Sequence, residues 1–279
     1  HVVCDKPMTY SLEEAEQLAK LVERSGLVFA LTHNYTGHPL VRQARAMVAA
    51  GDIGPLRVVQ VEYAQDWLAE KLEATGQKQA AWRTDPAISG PVGSVGDIGT
   101  HAFNLAEFIA GNEVTAVAVE LHTFVPGRRL DDNAHMMLRF ANGARGMLWC
   151  SQVAAGCENA LRIRIYGEKG SLEWQQEQPN ALIYAPLGEA PRLIRRNGAG
   201  SDAVSRAASR IPAGHPEGYL EAFAQLYTDI AEQIAARLEC RAPSPFSLLA
   251  PTVEHGVRGV RFIEAAVKSS AANAAWIEL

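Results

Sequence analysis

HVVCDKPMTYSLEEAEQLAKLVERSGLVFALTHNY, residues His1–Tyr35, sets the architecture of the chain. Its first four residues, HVVC, form a short apolar run of the kind found in buried parallel strands, and Pro7 ends it. Ser11-Leu-Glu-Glu14 then has the form of a capping box, in which the Ser11 hydroxyl caps the first turn and Glu14 reaches back. Leu12, Ala15, Leu18, Ala19 and Val22 follow at helical spacing, and Gly26 stands where a helix-ending glycine belongs. A second apolar run, LVFAL, leads to His33 and Asn34. Strand, helix and strand in roughly 30 residues make one βαβ unit of a parallel sheet. A parallel sheet needs several strands with both faces covered. Residues 1–34 are therefore expected to be the closing part of a doubly wound domain whose earlier strands precede His1.

The character changes at residue 35, and residues 35–279 are expected to form a second, α+β domain. Pro39–Ala50 reads as a helix, with proline at its start and Gly51 after its end. RVVQVEYAQ (57–65) alternates like a half-exposed strand, and residues 66–90 are polar and irregular. Thr100–Ala110 reads as helix. Three strand-rich stretches follow from Val114, with Asn142-Gly143 and Gly167–Gly170 as tight turns. Hairpins imply a large, open, mostly antiparallel sheet. Residues 188–216 read as a long loop, and two helices, near 217–237 and 252–269, finish the chain. A broad sheet with one uncovered face, carrying side chains such as Val117, Met137 and Met147, invites pairing with its own copy. A homodimer or homotetramer is expected.

The bulk numbers narrow the function. The 279 residues are 48% hydrophobic and 20% charged, with a net charge of −5. No basic stripe interleaved with aromatics supports nucleic-acid binding. Charges interrupt every apolar run before membrane-spanning length, and the start lacks the pattern of a signal peptide. Cys4, Cys150, Cys157 and Cys240 contain no C-x-x-C pair and fit free thiols in a reducing cytoplasm.

Two positions stand out chemically. Asp97 and His101 lie four residues apart behind GPVGSVG (90–96), so a helix would put them on one face. An imidazole titrates near neutrality and can take a proton from an alcohol; a carboxylate beside it would raise its pKa. The same spacing also arises between unrelated surface neighbours, and a metal site would need a third ligand that no nearby motif supplies. Lys6 follows a strand in an α/β sheet, where strand carboxyl ends face the ligand crevice, and could stabilise negative charge developing on oxygen. His33, His38 and His215 flank element ends and could line a cleft. Trp82-Arg83 could hold a planar or phosphorylated ligand, or could simply anchor a loop.

Taken together, DKP (5–7), THNYTGHPLV (32–41), AAGDIGPLR (49–57), WRTDP (82–86), SGPVGSVGDIGTH (89–101) and GHPEGYLEAF (214–223) resemble, in order, the Gfo/Idh/MocA family of glucose–fructose oxidoreductases and inositol dehydrogenases. The resemblance implies a Rossmann domain for NAD or NADP, then a C-terminal domain with an open, mostly antiparallel sheet. It implies hydride transfer between a sugar or cyclitol hydroxyl and nicotinamide. Lys6, Asp97 and His101 match the family's catalytic positions, with His101 as base or acid and Lys6 bonded to the reacting oxygen. Asp5, Lys6, Pro7, Asn34, Trp82 and Arg83 match cofactor positions; Tyr35 and His215 join the catalytic three at the substrate. No metal is implied. The family's Glu is Asp5 here, and Pro91, Val92 and Ser94 interrupt its glycine run. The G-x-G-x-x-G of the first strand–helix turn does not occur in these residues, so about 90 residues, roughly three βα units, are expected to precede His1. Without them dinucleotide binding would be poor. The alternatives are a non-catalytic or regulatory member, and a lyase or glycosidase that uses NAD transiently.

Overall fold

A computed structural model describes all residues from His1 to Leu279. The opening unit is β1 (Val2–Cys4), α1 (Leu12–Ser25) and β2 (Phe29–Leu31), with the two strands parallel in a sheet of their own. The capping box forms as the sequence dictates: Glu14 N donates to Ser11 Oγ, and the Glu14 carboxylate takes the Ser11 N–H. Gly26 ends α1 at a left-handed φ of 59°, which glycine adopts without strain. β2 is buried, while Val2 and Val3 are 50% and 40% exposed. β1 pairs with β2, and its Cys4 packs in a small cluster with Met8, Phe29, Leu31, Val253 and Val260.

The second part begins with α2 (Pro39–Ala50) and β3 (Leu56–Ala64). Residues 66–90 are less irregular than their composition predicts. They hold α3 (Lys78–Arg83) and α4 (Pro86–Ser89), with a 3-10 turn at Leu72–Ala74. The Arg128 guanidinium organises this segment. It donates to both Glu73 oxygens, to the Leu68 and Glu70 carbonyls and to Asp132.

Next come α5 (Thr100–Ala110), β4 (Val114–His122), β5 (Asn133–Phe140), β6 (Arg145–Ser151), β7 (Ala160–Gly167), β8 (Gly170–Gln175), β9 (Ala181–Pro186) and β10 (Arg192–Arg195). The chain closes with α6 (Ala203–Ala208), α7 (Tyr219–Leu238), α8 (Val253–Ala271) and β11 (Ile277–Glu278). β10 and α6 fall inside the stretch read as one long loop. Leu193 and Ile194 pair with β9, and Asp202 caps α6 through Ser205 N–H. No helix is long and apolar enough to cross a membrane.

The nine-stranded sheet runs β10-β9-β8-β7-β3-β6-β5-β4-β11 and is antiparallel except for the β3–β6 pair. α2, α5 and α8 cover one face, where Phe103 of α5 stacks on Phe262 of α8 at 4.3 Å. The opposite face leaves Met137 and Met147 about half exposed, at 51% and 56%. Val117 does not belong with them. It is fully buried on the helix-covered face, opposite Leu138, because successive side chains alternate across a strand.

This topology gathers loops at one end of the sheet. Because β3 and β6 are parallel, their carboxyl ends coincide at Ala64 and Ser151. The antiparallel neighbours β5 and β7 bring their amino ends there, with Asn133 opposite Ser151 and Ala160 opposite Ala64. The residues after β1 and β2 arrive at the same place.

Candidate active site

The segment behind the glycines is not a plain α-helix. Val95–Gly99 forms a π-turn, with Thr100 N donating to Val95 O, before α5 begins. Asp131, two residues before β5, holds this turn in place. Its carboxylate accepts from Gly93 N at 2.6 Å, Ser94 Oγ at 2.6 Å and Val95 N at 3.0 Å. Gly93 is required for the approach, since a Cβ there would lie 2.3 Å from the Asp131 carbonyl oxygen. The interruptions in the glycine run therefore have structural work: Ser94 bonds Asp131, and Val92 is buried in the core.

Asp97 lies in this turn and His101 in the first turn of α5, and no hydrogen bond or ion pair joins them. Asp97 is held from three sides. Lys6 Nζ stands 3.4 Å from Oδ1 and also reaches the Asp97 carbonyl. Gln152, buried at the end of β6, donates to Oδ2 at 2.8 Å. Arg83 Nε stands 3.3 Å from Oδ2 as an ion pair without hydrogen-bond geometry. His101 instead packs edge-on against Tyr35 at 5.0 Å and His33 at 5.4 Å.

The electrostatics follow from this. Burial lowers the His101 pKa well below its usual value, and the nearby Lys6 and His33 push it the same way. The expectation that Asp97 would raise it fails, because the carboxylate is spent on Lys6, Gln152 and Arg83. Burial, Lys6 and His33 all favour the neutral imidazole. His33, buried beside it, is pushed down to about 3 by burial and by Lys6. Burial also lowers Lys6, with Asp97 opposing the shift.

Lys6, Asp97, Asp5 and Arg83 form a wall shared by two cavities. The larger, about 600 Å³, is also lined by Asn34, Tyr35, Tyr63, Asn159 and His101. The smaller, about 430 Å³, runs beside Pro7, Trp82, Gly93 and Gly96. The Lys6–Pro7 bond is cis. Asp5 accepts from Lys6 N at 2.9 Å and Thr32 Oγ1 at 2.6 Å, tying the β1 end to the β2 end. Arg83, on α3, lies over Trp82 at 4.2 Å. Asn34 is buried, and its Nδ2 has no partner.

His215 does not join them. It is exposed in the turn before α7 and lines neither cavity; only its backbone is used, the N–H donating to Pro212 O and the carbonyl accepting from Arg196. Tyr219 and Phe223, one and two turns further along the same motif, reach the larger cavity instead. Tyr63, Gln65, Trp67, Gln152 and Asn159 escaped the sequence reading. Tyr63 and Gln65 sit at the carboxyl end of β3, a position that could have flagged them. Asn159 enters only through the β3–β7 register, which no local pattern reveals.

The arrangement can be compared with known proteins. The Gfo/Idh/MocA C-terminal domain model matches residues 41–173. The uncharacterized oxidoreductase YfiI of Bacillus subtilis is 35% identical over 284 residues, spanning 100% of this chain and 71% of that protein. The chain belongs to the Gfo/Idh/MocA family. It is an oxidoreductase of that family. The crystal structure of an oxidoreductase from Sinorhizobium meliloti shares 49% identity at a TM-score of 0.88, covering 99% of this chain and 72% of that one. An inositol dehydrogenase homolog from Azotobacter vinelandii, complexed with NADH and myo-inositol, shares 33% identity at a TM-score of 0.89, covering 100% and 72%. The open, mostly antiparallel sheet expected of a Gfo/Idh/MocA member is the one described above.

Proposed function

We propose that this chain carries the reacting centre of an NAD(P)-dependent dehydrogenase acting on a sugar or cyclitol hydroxyl. The observation that carries the reading is the meeting of Lys6, Asp97 and a neutral His101 at one wall of a polar cavity. The likeness to a homolog holding NADH and myo-inositol supports the cofactor and substrate class. In this reading residues 1–34 belong to the dinucleotide-binding domain and residues 35–279 to the substrate and oligomerisation domain.

The residues present fit a nicotinamide. Asn34 Nδ2, on the larger cavity, is a buried donor without a partner, as a carboxamide oxygen would require; Asp5, Lys6 and Arg83 line the wall between the two cavities, and Pro7 and Trp82 the smaller one. Bound there, the ring would supply the hydride acceptor. The protein's own part is proton transfer and charge control. His101, held neutral, takes the hydroxyl proton as the alcohol is oxidised and returns it in the reverse direction. Lys6 donates to the same oxygen and stabilises its developing negative charge. Asp97 fixes Lys6 and stays anchored through Gln152. Tyr35 lines the pocket beside the base and meets the substrate.

The test is turnover of a polyol panel with NAD+ and NADP+. His101→Ala and Lys6→Ala should each lower kcat by roughly a hundredfold or more. Near-normal turnover in both removes them from the mechanism. Ligand binding without cofactor reduction across the panel overturns the dehydrogenase reading.

The exposed Met137 and Met147 on the uncovered sheet face support assembly of copies through that face.

A further inference from the structure

A chain of hydrogen bonds at the rim of the larger cavity has only one possible polarity. Trp67 Nε1 donates to Gln65 Oε1 at 3.0 Å. An indole N–H can only donate, so the Gln65 oxygen faces Trp67 and its amide nitrogen must face the other way. That nitrogen donates to Asn159 Oδ1 at 2.8 Å. The Asn159 orientation is thereby fixed, and its oxygen can only accept. Tyr63 must therefore donate its hydroxyl proton to the same oxygen, at 2.7 Å. The Tyr63 oxygen, its proton spent, must accept from the Tyr35 hydroxyl. Both phenols are buried, which holds their protons on at neutral pH.

One donor-only group thus sets four neighbours. It leaves the Asn159 Nδ2 hydrogens as donors and, across the Tyr63 hydroxyl, a Tyr35 oxygen left only as an acceptor. Both residues line the cavity that holds Lys6, Asp97 and His101. The geometry points to Asn159 and Tyr35 as a two-point hydroxyl subsite that orients the substrate: Asn159 donates to one substrate oxygen, and Tyr35 accepts from a neighbouring substrate hydroxyl. This rests on the polyol reading above and deepens it. A neutral diol unit satisfies both groups at once, whereas a carboxylate or phosphate offers Tyr35 no proton. Gln65 and Trp67 are positioning residues, acting through Asn159.

Calorimetric binding of myo-inositol, glucose and their single-deoxy derivatives tests this without depending on turnover. Asn159→Asp keeps the size but removes both donors. It should weaken the better-bound polyol roughly tenfold or more, the scale of one lost hydrogen bond with an unpaired group left behind. One deoxy derivative, lacking the oxygen that Asn159 meets, should bind wild type and variant alike. Gln65→Glu can still accept from Trp67 but cannot donate to Asn159, and should reproduce the same selective pattern. Equal weakening of every derivative, or binding within about twofold of wild type in both variants, overturns the subsite. So does a wild type that binds neither polyol. Polyol binding with the selective pattern, but no reduction of NAD+ or NADP+, leaves the subsite standing and overturns only the dehydrogenase reading.

Discussion

Burial favours the neutral form of His101, and no acid stands next to it to oppose that. Lys6 and His33 disfavour the imidazolium as well. His33, His38 and His255 share this fate; His38, packed near Trp174, is pushed down to about 4 by burial. All four rings have native pKa values below the unfolded value of 6.5. The unfolded chain therefore binds protons that the native state refuses once the pH falls below that value. Stability is full above about pH 6.5 and declines on acidification, each ring that remains neutral contributing about 1.4 kcal/mol per pH unit. Urea midpoints should fall steadily from about pH 7 to about pH 5. A flat profile would contradict the assignment of neutral buried histidines. The candidate residues Lys6, Asp97 and His101 were legible because their identity and order were visible. The direction of the histidine's shift was not, because it depends on which groups surround the ring after folding.

Among the elements, the π-turn and the segment before it decide where the site's side chains point. Asp131 anchors the turn from 36 residues further along the chain, through three hydrogen bonds to one carboxylate. Asp131→Asn keeps the shape but leaves one of these donors facing an amide. It should cost about 1–3 kcal/mol in urea unfolding, and unchanged stability would remove Asp131 as the anchor. Arg128 does the same for residues 66–74, ahead of the helix that carries Arg83. Its removal strands buried Asp132 and two carbonyls, so Arg128→Ala should cost about 3–5 kcal/mol. A loss below about 1 kcal/mol would place that segment's order elsewhere. The helices with capping residues and apolar periodicity were visible in sequence: α1, α2, α5, α7 and α8. α3, α4 and α6 were not, since helices of four to six residues have too few turns to set a period.

For the whole molecule, the hairpin turns revealed an antiparallel sheet, but not the parallel β3–β6 pair at its centre. That pair is what brings Tyr63, Gln152, Asn159 and Asp131 to one end. It joins strands more than 80 residues apart, and only long-range packing selects it. The uncovered face holds Met137 opposite Met147 on adjacent strands. Replacing both with glutamate should convert an assembled species to monomer by light scattering without loss of folding; a wild type that is monomeric would set this face aside. The fate of the substrate's hydrogen tests the account most directly. A polyol deuterated at its oxidised carbon should pass its deuterium to the reduced nicotinamide in wild type, with transfer falling at least about a hundredfold in His101→Ala. Deuterium released to water, or retained in a product formed without net cofactor reduction, would contradict it.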